Sequence, residues 1–237
     1  MDVIPSLDLL GGRVVRLTRG DFASAHEYGE PEAVLDSLHV PRGSRLHVVD
    51  LEASRSGAPV ETEVVRRFAA RDLRVQVGGG IRSIADAQRW LDCGAQKVVI
   101  GTVAADSPSL LRSIVEAVGA ERVIAAVDIR DGVVRVAGWE RDASRSLGDV
   151  LQSIAEAGIA EVLITDISRD GVMRGPSFSL YRDLQMERGR VRPRLSDRAK
   201  GAGETPALHA PKIIASGGVS SVSDVVSLAR LPNISGC

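Results

Sequence analysis

Two aspartates hold matching places in the two halves of this 237-residue chain. Val3-Ile4-Pro5-Ser6-Leu7-Asp8 runs into Leu9-Leu10-Gly11-Gly12, and Val123-Ile124-Ala125-Ala126-Val127-Asp128 runs into Ile129-Arg130-Asp131-Gly132. Each aspartate ends an apolar strand. Two carboxylates on opposite sides of a bound molecule can act as general base and general acid, provided burial raises the pKa of whichever must hold a proton near neutral pH. A single strand-end aspartate more often caps a turn; the repetition makes Asp8 and Asp128 a candidate catalytic pair.

The glycine turns add a second chemistry. Gly78-Gly79-Gly80 with Gly101-Thr102 in the first half, and Ser216-Gly217-Gly218 in the second, are placed to offer backbone N–H groups at helix N-termini, where missing side chains and the helix dipole admit a phosphate. One Gly-Gly often serves only a tight turn. Paired sites at symmetric positions fit a ligand carrying a phosphate at each end, its middle lying between the two aspartates.

The elements that must position these groups are parallel βα units. Short β-branched runs at 3–8, 45–50, 74–78, 97–101, 123–128, 161–166 and 212–216 read as strands; helices follow near 31–39, 61–71, 84–93, 108–118, 147–157, 178–187 and 222–230. Leu46–Asp50 corresponds with 162–166, and the Ser-x-x-Asp helix start of Ser83 and Asp86 recurs at Ser221 and Asp224. The α/β pattern predicts one TIM-barrel domain over 1–237, built from half-barrel repeats 1–120 and 121–237. In such a barrel all strand carboxyl ends open on one face, which sets Asp8 and Asp128 opposite each other.

Two irregularities follow from the repeat. Asp50 to Gly80 spans 30 positions but Asp166 to Gly218 spans 52, and the excess matches the polar, Arg-rich stretch 189–211, read as a disordered insert. The step that leads from Gly80 to the fourth strand leads from Gly218 only to Ser235, so seven strands are expected and no eighth βα unit. Strands one and seven would then have open edges and the second phosphate site would be incomplete. That predicts a poorly stable chain and a weak catalyst.

Composition limits the remaining classes. A net charge of −1 favours neither nucleic acid nor an anionic membrane, and no run reaches the length of a membrane span, so the cytoplasm is expected. Cys93 and Cys237 provide no disulfide framework. His26, His39, His47 and His209 have no metal-ligand spacing.

Ile4-Pro5-Ser6-Leu7-Asp8-Leu9, Gly12-x-Val14-Val15-Arg16-Leu17, Gly20-Asp21, His47-Val48-Val49-Asp50-Leu51, Gly78-Gly79-Gly80-Ile81-Arg82, Gly138-Trp139, the run from Thr165 through Asp170 and Gly171, and Ala215-Ser216-Gly217-Gly218-Val219-Ser220 complete the pattern. Together they resemble the phosphoribosylformimino-5-aminoimidazole carboxamide ribotide isomerases of histidine biosynthesis. The resemblance implies an Amadori rearrangement of a bisphosphorylated ribonucleotide, aminoaldose to aminoketose, with no metal or organic cofactor; a monomer is expected where the barrel is complete. It implies Asp128 as the acid that opens the aminosugar ring and Asp8 as the base that takes the C2' proton. Thr165 would assist by hydrogen bonding, Arg16, His47 and Asp170 with Gly171 would orient substrate, and Trp139 would close over it.

Without that resemblance, His47 reads equally as a core histidine, Trp139 as a loop anchor, Thr165 as an ordinary strand residue, and Arg16 with Asp170 as a surface ion pair. Three alternatives accompany it. The cyclase subunit of imidazole glycerol phosphate synthase shares the barrel and both aspartates but has lysine where this chain has Arg16. Bifunctional isomerases that also accept phosphoribosylanthranilate carry an arginine before the Gly-Trp pair, where this chain has Val136-Ala137. The third is a noncatalytic phosphosugar-binding remnant.

Overall fold

A computed structural model describes residues 1–188 and 210–237. The insert expected at 189–211 lies outside the described residues except for its last two positions. Twelve strands are present among the described residues: β1 (Ser6–Leu10), β2 (Arg13–Thr18), β3 (Asp21–Gly29), β4 (Arg45–Asp50), β5 (Arg74–Gly78), β6 (Lys97–Ile100), β7 (Val123–Arg130), β8 (Val133–Val136), β9 (Arg141–Asp142), β10 (Glu161–Asp166), β11 (Lys212–Ser216) and β12 (Ile234–Gly236). Eight of them form a parallel ladder in the order β1, β4, β5, β6, β7, β10, β11, β12, with helices on its outer side.

The eighth strand, expected to be missing, is therefore there. Ile234 and Gly236 pair with Ile213 and Ile214 of β11, and Gly236 bridges to Asp2 on the other side. Three hydrogen bonds close the ring: Asp2 N–H to the Ser235 carbonyl at 2.8 Å, Cys237 N–H to the Asp2 carbonyl at 3.0 Å, and Ile4 N–H to the Cys237 carbonyl at 2.7 Å. Strands one and seven have no open edge, which removes the argument for a poorly stable chain. Three residues are too few to show a period in the sequence, so β12 is defined by its partners and not by its own pattern.

Strand alternation divides the apolar residues into two cores. Leu7, Leu9, Leu46, Val48, Val75, Val77, Val98 and Ile100 face outward, where they meet Val65 and Phe68 of helix Thr62–Ala70, Trp90 of Ile84–Asp92 and Ile114 of Pro108–Val118. Ile4, Val99, Ile124, Leu163 and Ile214 form a separate cluster inside the ring. The paired Ser-x-x-Asp starts are formed as expected. Ser83 accepts from the N–H of Asp86, and Ser221 from that of Asp224 in a full capping box.

β1 and β7 each continue two residues past their aspartate and fold back. Gly11-Gly12 and Asp131-Gly132 supply two consecutive positive-φ residues, at 60° and 74° and at 52° and 79°, as a two-residue hairpin turn requires. The returning strands β2 and β8 set Asp8 opposite Val15 and Asp128 opposite Arg135. These hairpins rise over the strand carboxyl ends and wall the site.

Candidate active site

The inner face of the ring opens into a cavity of about 920 Å³ lined by Asp8, Arg16, His47, Gly79, Gly80, Gly101, Thr102, Asp128, Trp139, Thr165, Asp170, Ser216, Gly217 and Gly218. Every candidate from the sequence is in that wall except Gly171. A Cβ at Gly171 would lie 2.7 Å from the Leu17 carbonyl oxygen and its φ is +72°, so glycine lets the loop after β10 pass against β2.

Asp8 on β1 and Asp128 on β7 stand four strands apart in a ring of eight, on opposite walls. Asp128, Thr165 and Ser216 form one row across β7, β10 and β11, each in register with the next. Burial lifts the Asp8 carboxyl from its ordinary range to about 7; the nearby Asp170 carboxylate adds to the rise and Arg16 opposes it. Burial also raises Asp128, while hydrogen bonds from the Trp139 and Thr165 side chains favour its ionised form. Asp170 is raised by burial against the attraction of Arg16, with Asp128 adding repulsion. Three carboxylates thus share one mouth, and in such a group ionising one makes ionising the next harder.

The matching aspartates at the next strand ends have a different fate. Asp50 is fully buried and accepts from the N–H groups of Ala53 at 2.7 Å, Val60 at 2.8 Å and Glu61 at 2.9 Å, fastening the chain after β4. Asp166 accepts from the N–H and hydroxyl of Ser168 at 3.0 and 2.6 Å. These two are caps; Asp8 and Asp128 face the cavity.

The glycine turns show the same twofold correspondence. A Cβ on Gly79 would lie 2.2 Å from the Asp50 carbonyl oxygen, and one on Gly217 would lie 2.7 Å from that of Asp166. Both have positive φ, so no other residue passes so close to the preceding strand end. The helices beyond are capped by their own carboxylates: Asp86 accepts from Arg82 N–H, and Asp224 from Ser220 and Ser221 N–H. The turns ahead of the helices, rather than the helix N-termini themselves, face the cavity. Tyr181 steadies the second turn, since its hydroxyl accepts from Ser216 N–H at 3.1 Å and lies 3.0 Å from the Ser216 carbonyl oxygen. Thr102 is partly engaged, its hydroxyl accepting from Ala137 N–H at 3.0 Å.

Trp139 sits in the turn between β8 and β9, where Ala137, Gly138 and Trp139 are successively left-handed. Arg135 donates to the Trp139 carbonyl at 2.8 Å and pairs with Asp142, which holds this costly backbone in place. The indole lies over Gly20 in the opposite half, where a Cβ would come 2.5 Å from the ring carbon Cε3. Gly20 is therefore the notch that lets Trp139 reach across the mouth.

Sequence reasoning passed over Gln76, Arg45, Arg135 and Tyr181. Gln76 carried a signal, being a polar residue between two valines in a strand, and it is only 2% exposed. Arg135 became visible only once the hairpin placed it in the cavity wall.

Comparison with known proteins gives one consistent result. The family described as "Histidine biosynthesis protein" matches residues 2–191. An isomerase from Sorangium cellulosum, named for 1-(5-phosphoribosyl)-5-((5-phosphoribosylamino)methylideneamino) imidazole-4-carboxamide, is 39% identical over 240 residues, covering all of this chain and 90% of its own. The protein of the same name from Thermomicrobium roseum is 40% identical over 99% of this chain and 88% of its own, and that from Roseiflexus sp. is 37% identical over 98% and 89%.

Proposed function

The chain belongs to the histidine biosynthesis protein family, and from that premise we propose that it isomerises the bisphosphorylated imidazole carboxamide ribonucleotide for which its relatives are named. The reaction is an intramolecular aldose-to-ketose exchange, so no electron acceptor is needed. The observation that carries this reading is the pair of raised carboxyls, Asp8 and Asp128, on opposite walls of one cavity flanked by two equivalent glycine turns.

In this reading each half of the barrel, 1–120 and 121–237, holds one phosphate of the substrate, the first at Gly79-Gly80 and Gly101-Thr102, the second at Ser216-Gly217-Gly218. The aminosugar then lies between the aspartates. Asp128, whose protonated form burial favours, gives its proton to the ring oxygen, and the ring opens to an iminium. Asp8 removes the C2' proton, leaving an enolamine that tautomerises to the ketose. A carboxyl near 7 is well matched to this, because a base works best when its pKa lies close to the working pH. Thr165 orients Asp128, Arg16 and Asp170 flank Asp8, and Trp139 covers the open side. Because one chain supplies both halves, a monomer suffices; the free thiols of Cys93 and Cys237 suit a reducing cytoplasm. The test is conversion of purified ribonucleotide by the purified chain, followed by chromatography; no ketose product at micromolar enzyme would defeat the proposal.

A further inference from the structure

Beneath the cavity the strands begin with charge. Arg45 of β4, Lys97 of β6 and Glu161 of β10 are each the first residue of their strand, and they meet inside the ring. Nη1 of Arg45 donates to one carboxylate oxygen of Glu161 at 2.8 Å, while its Nη2 at 3.2 Å and Lys97 Nζ at 2.6 Å donate to the other. Burial would raise this carboxyl, yet the hydrogen bonds and charges of Arg45 and Lys97 hold it below its ordinary range. Arg45 is consequently fixed, with its side chain only 10% exposed.

The same guanidinium reaches the next strand. Its Nε at 3.2 Å and Nη2 at 2.6 Å both donate to Oε1 of Gln76. The amide cannot be turned round, because its NH₂ would then face two N–H donors. Nε2 of Gln76 therefore points away from Arg45 and lies 3.3 Å from Nδ1 of His47, its partner across the β4–β5 ladder. An amide nitrogen only donates, so Nδ1 must offer a lone pair. The hydrogen of the neutral ring then resides on Nε2, on a side chain that lines the cavity.

We infer that Arg45 and Gln76 are positioning residues which lock His47 as the Nε2–H tautomer, giving the cavity one uncharged N–H donor aimed at an acceptor oxygen of the ligand, such as a sugar hydroxyl or carboxamide oxygen. The inference deepens the proposed function and rests on its assignment of His47 to the substrate. Burial pushes His47 down to about 4, and the positive charge of Arg45 adds to this, so the ring stays neutral while it serves as a donor. The main-chain carbonyl of Gln76 acts the other way, favouring a protonated ring.

The test is nitrogen-15 NMR of the full chain labelled at histidine, with His47→Asn identifying the signal. The wild-type ring should show a bare Nδ1 and a protonated Nε2 from pH 8 down to pH 5. Gln76→Glu keeps an acceptor for Arg45 but offers Nδ1 an acceptor instead of a donor, so a proton should appear on Nδ1. In the isomerase assay that variant should raise KM about tenfold with kcat changed less than about threefold, the size of one lost neutral hydrogen bond. A wild-type ring protonated on Nδ1, or a tautomer unmoved by Gln76→Glu, would overturn the inference, and the first result needs no variant to fold. A chain that lacks isomerase activity but shows the expected wild-type spectrum would instead count against the proposed substrate.

Discussion

Replacing Asp8 with asparagine should stabilise the protein while stopping turnover. Burial, with repulsion from Asp170 and against the attraction of Arg16, lifts this carboxyl from 3.8 to about 7. The folded state therefore binds the proton more tightly than the unfolded state, and stability falls as pH rises between about 4 and 7. Fully expressed, the shift would cost the fold about 4 kcal/mol at pH 8, about 1.5 kcal/mol at pH 5 and nothing at pH 3. Asp8 is only partly buried, and water in the open mouth screens its charge, so Asp8→Asn should recover about 2 kcal/mol at pH 8. For a chain of this length that is a rise of about 4–8 °C in Tm. Thermal melts of both proteins at pH 8, 5 and 3 measure it. The gain should shrink step by step toward pH 3, while kcat at neutral pH falls by about 100-fold or more. An unchanged or lower Tm at pH 8, or a gain of equal size at all three pH values, would refute the claim that the fold holds Asp8 in an unfavourable charged state.

Asp128→Asn should lower kcat about 100-fold or more and leave KM within about threefold, since in the proposed reaction the residue acts on the ring oxygen and not on the phosphates; steady-state kinetics separate the two. For the parent enzyme, kcat/KM should rise with pH through about 7 as Asp8 loses its proton. Asp170→Asn should move the rising limb to lower pH, because it removes a repulsion that lifts Asp8. Gly79→Ala and Gly217→Ala should each cost about 2 kcal/mol or more and lower Tm, with Gly79→Ala the worse because its new Cβ meets the Asp50 carbonyl at 2.2 Å rather than 2.7 Å.

The parts of the fold legible in the sequence are those whose signal is local. Seven parallel strands alternate with helices whose caps, Ser83 with Asp86 and Ser221 with Asp224, are written in adjacent letters. β12 was not legible because Ile234-Ser235-Gly236 becomes a strand only by sitting between β11 and Asp2: Ile234 pairs with Ile213, 21 positions away, and Gly236 bridges to Asp2, 234 positions away. The hairpins were half legible. Gly11-Gly12 and Asp131-Gly132 mark tight turns, but β3 carries exposed polar residues and has no buried position.

The site divides along the same line. Four strand-end aspartates look alike in sequence, and only the surroundings separate the caps Asp50 and Asp166 from Asp8 and Asp128. Asp50 finds three N–H donors and is spent on holding the chain after β4. Burial, with the Asp170 carboxylate adding to it, lifts Asp8 to about 7. Asp50 and Asp166 are taken up by donors of the chain that directly follows them, whereas Asp8 and Asp128 line the cavity. Spacing within the repeat could locate the four carboxylates, but only the folded backbone decides which two line the cavity.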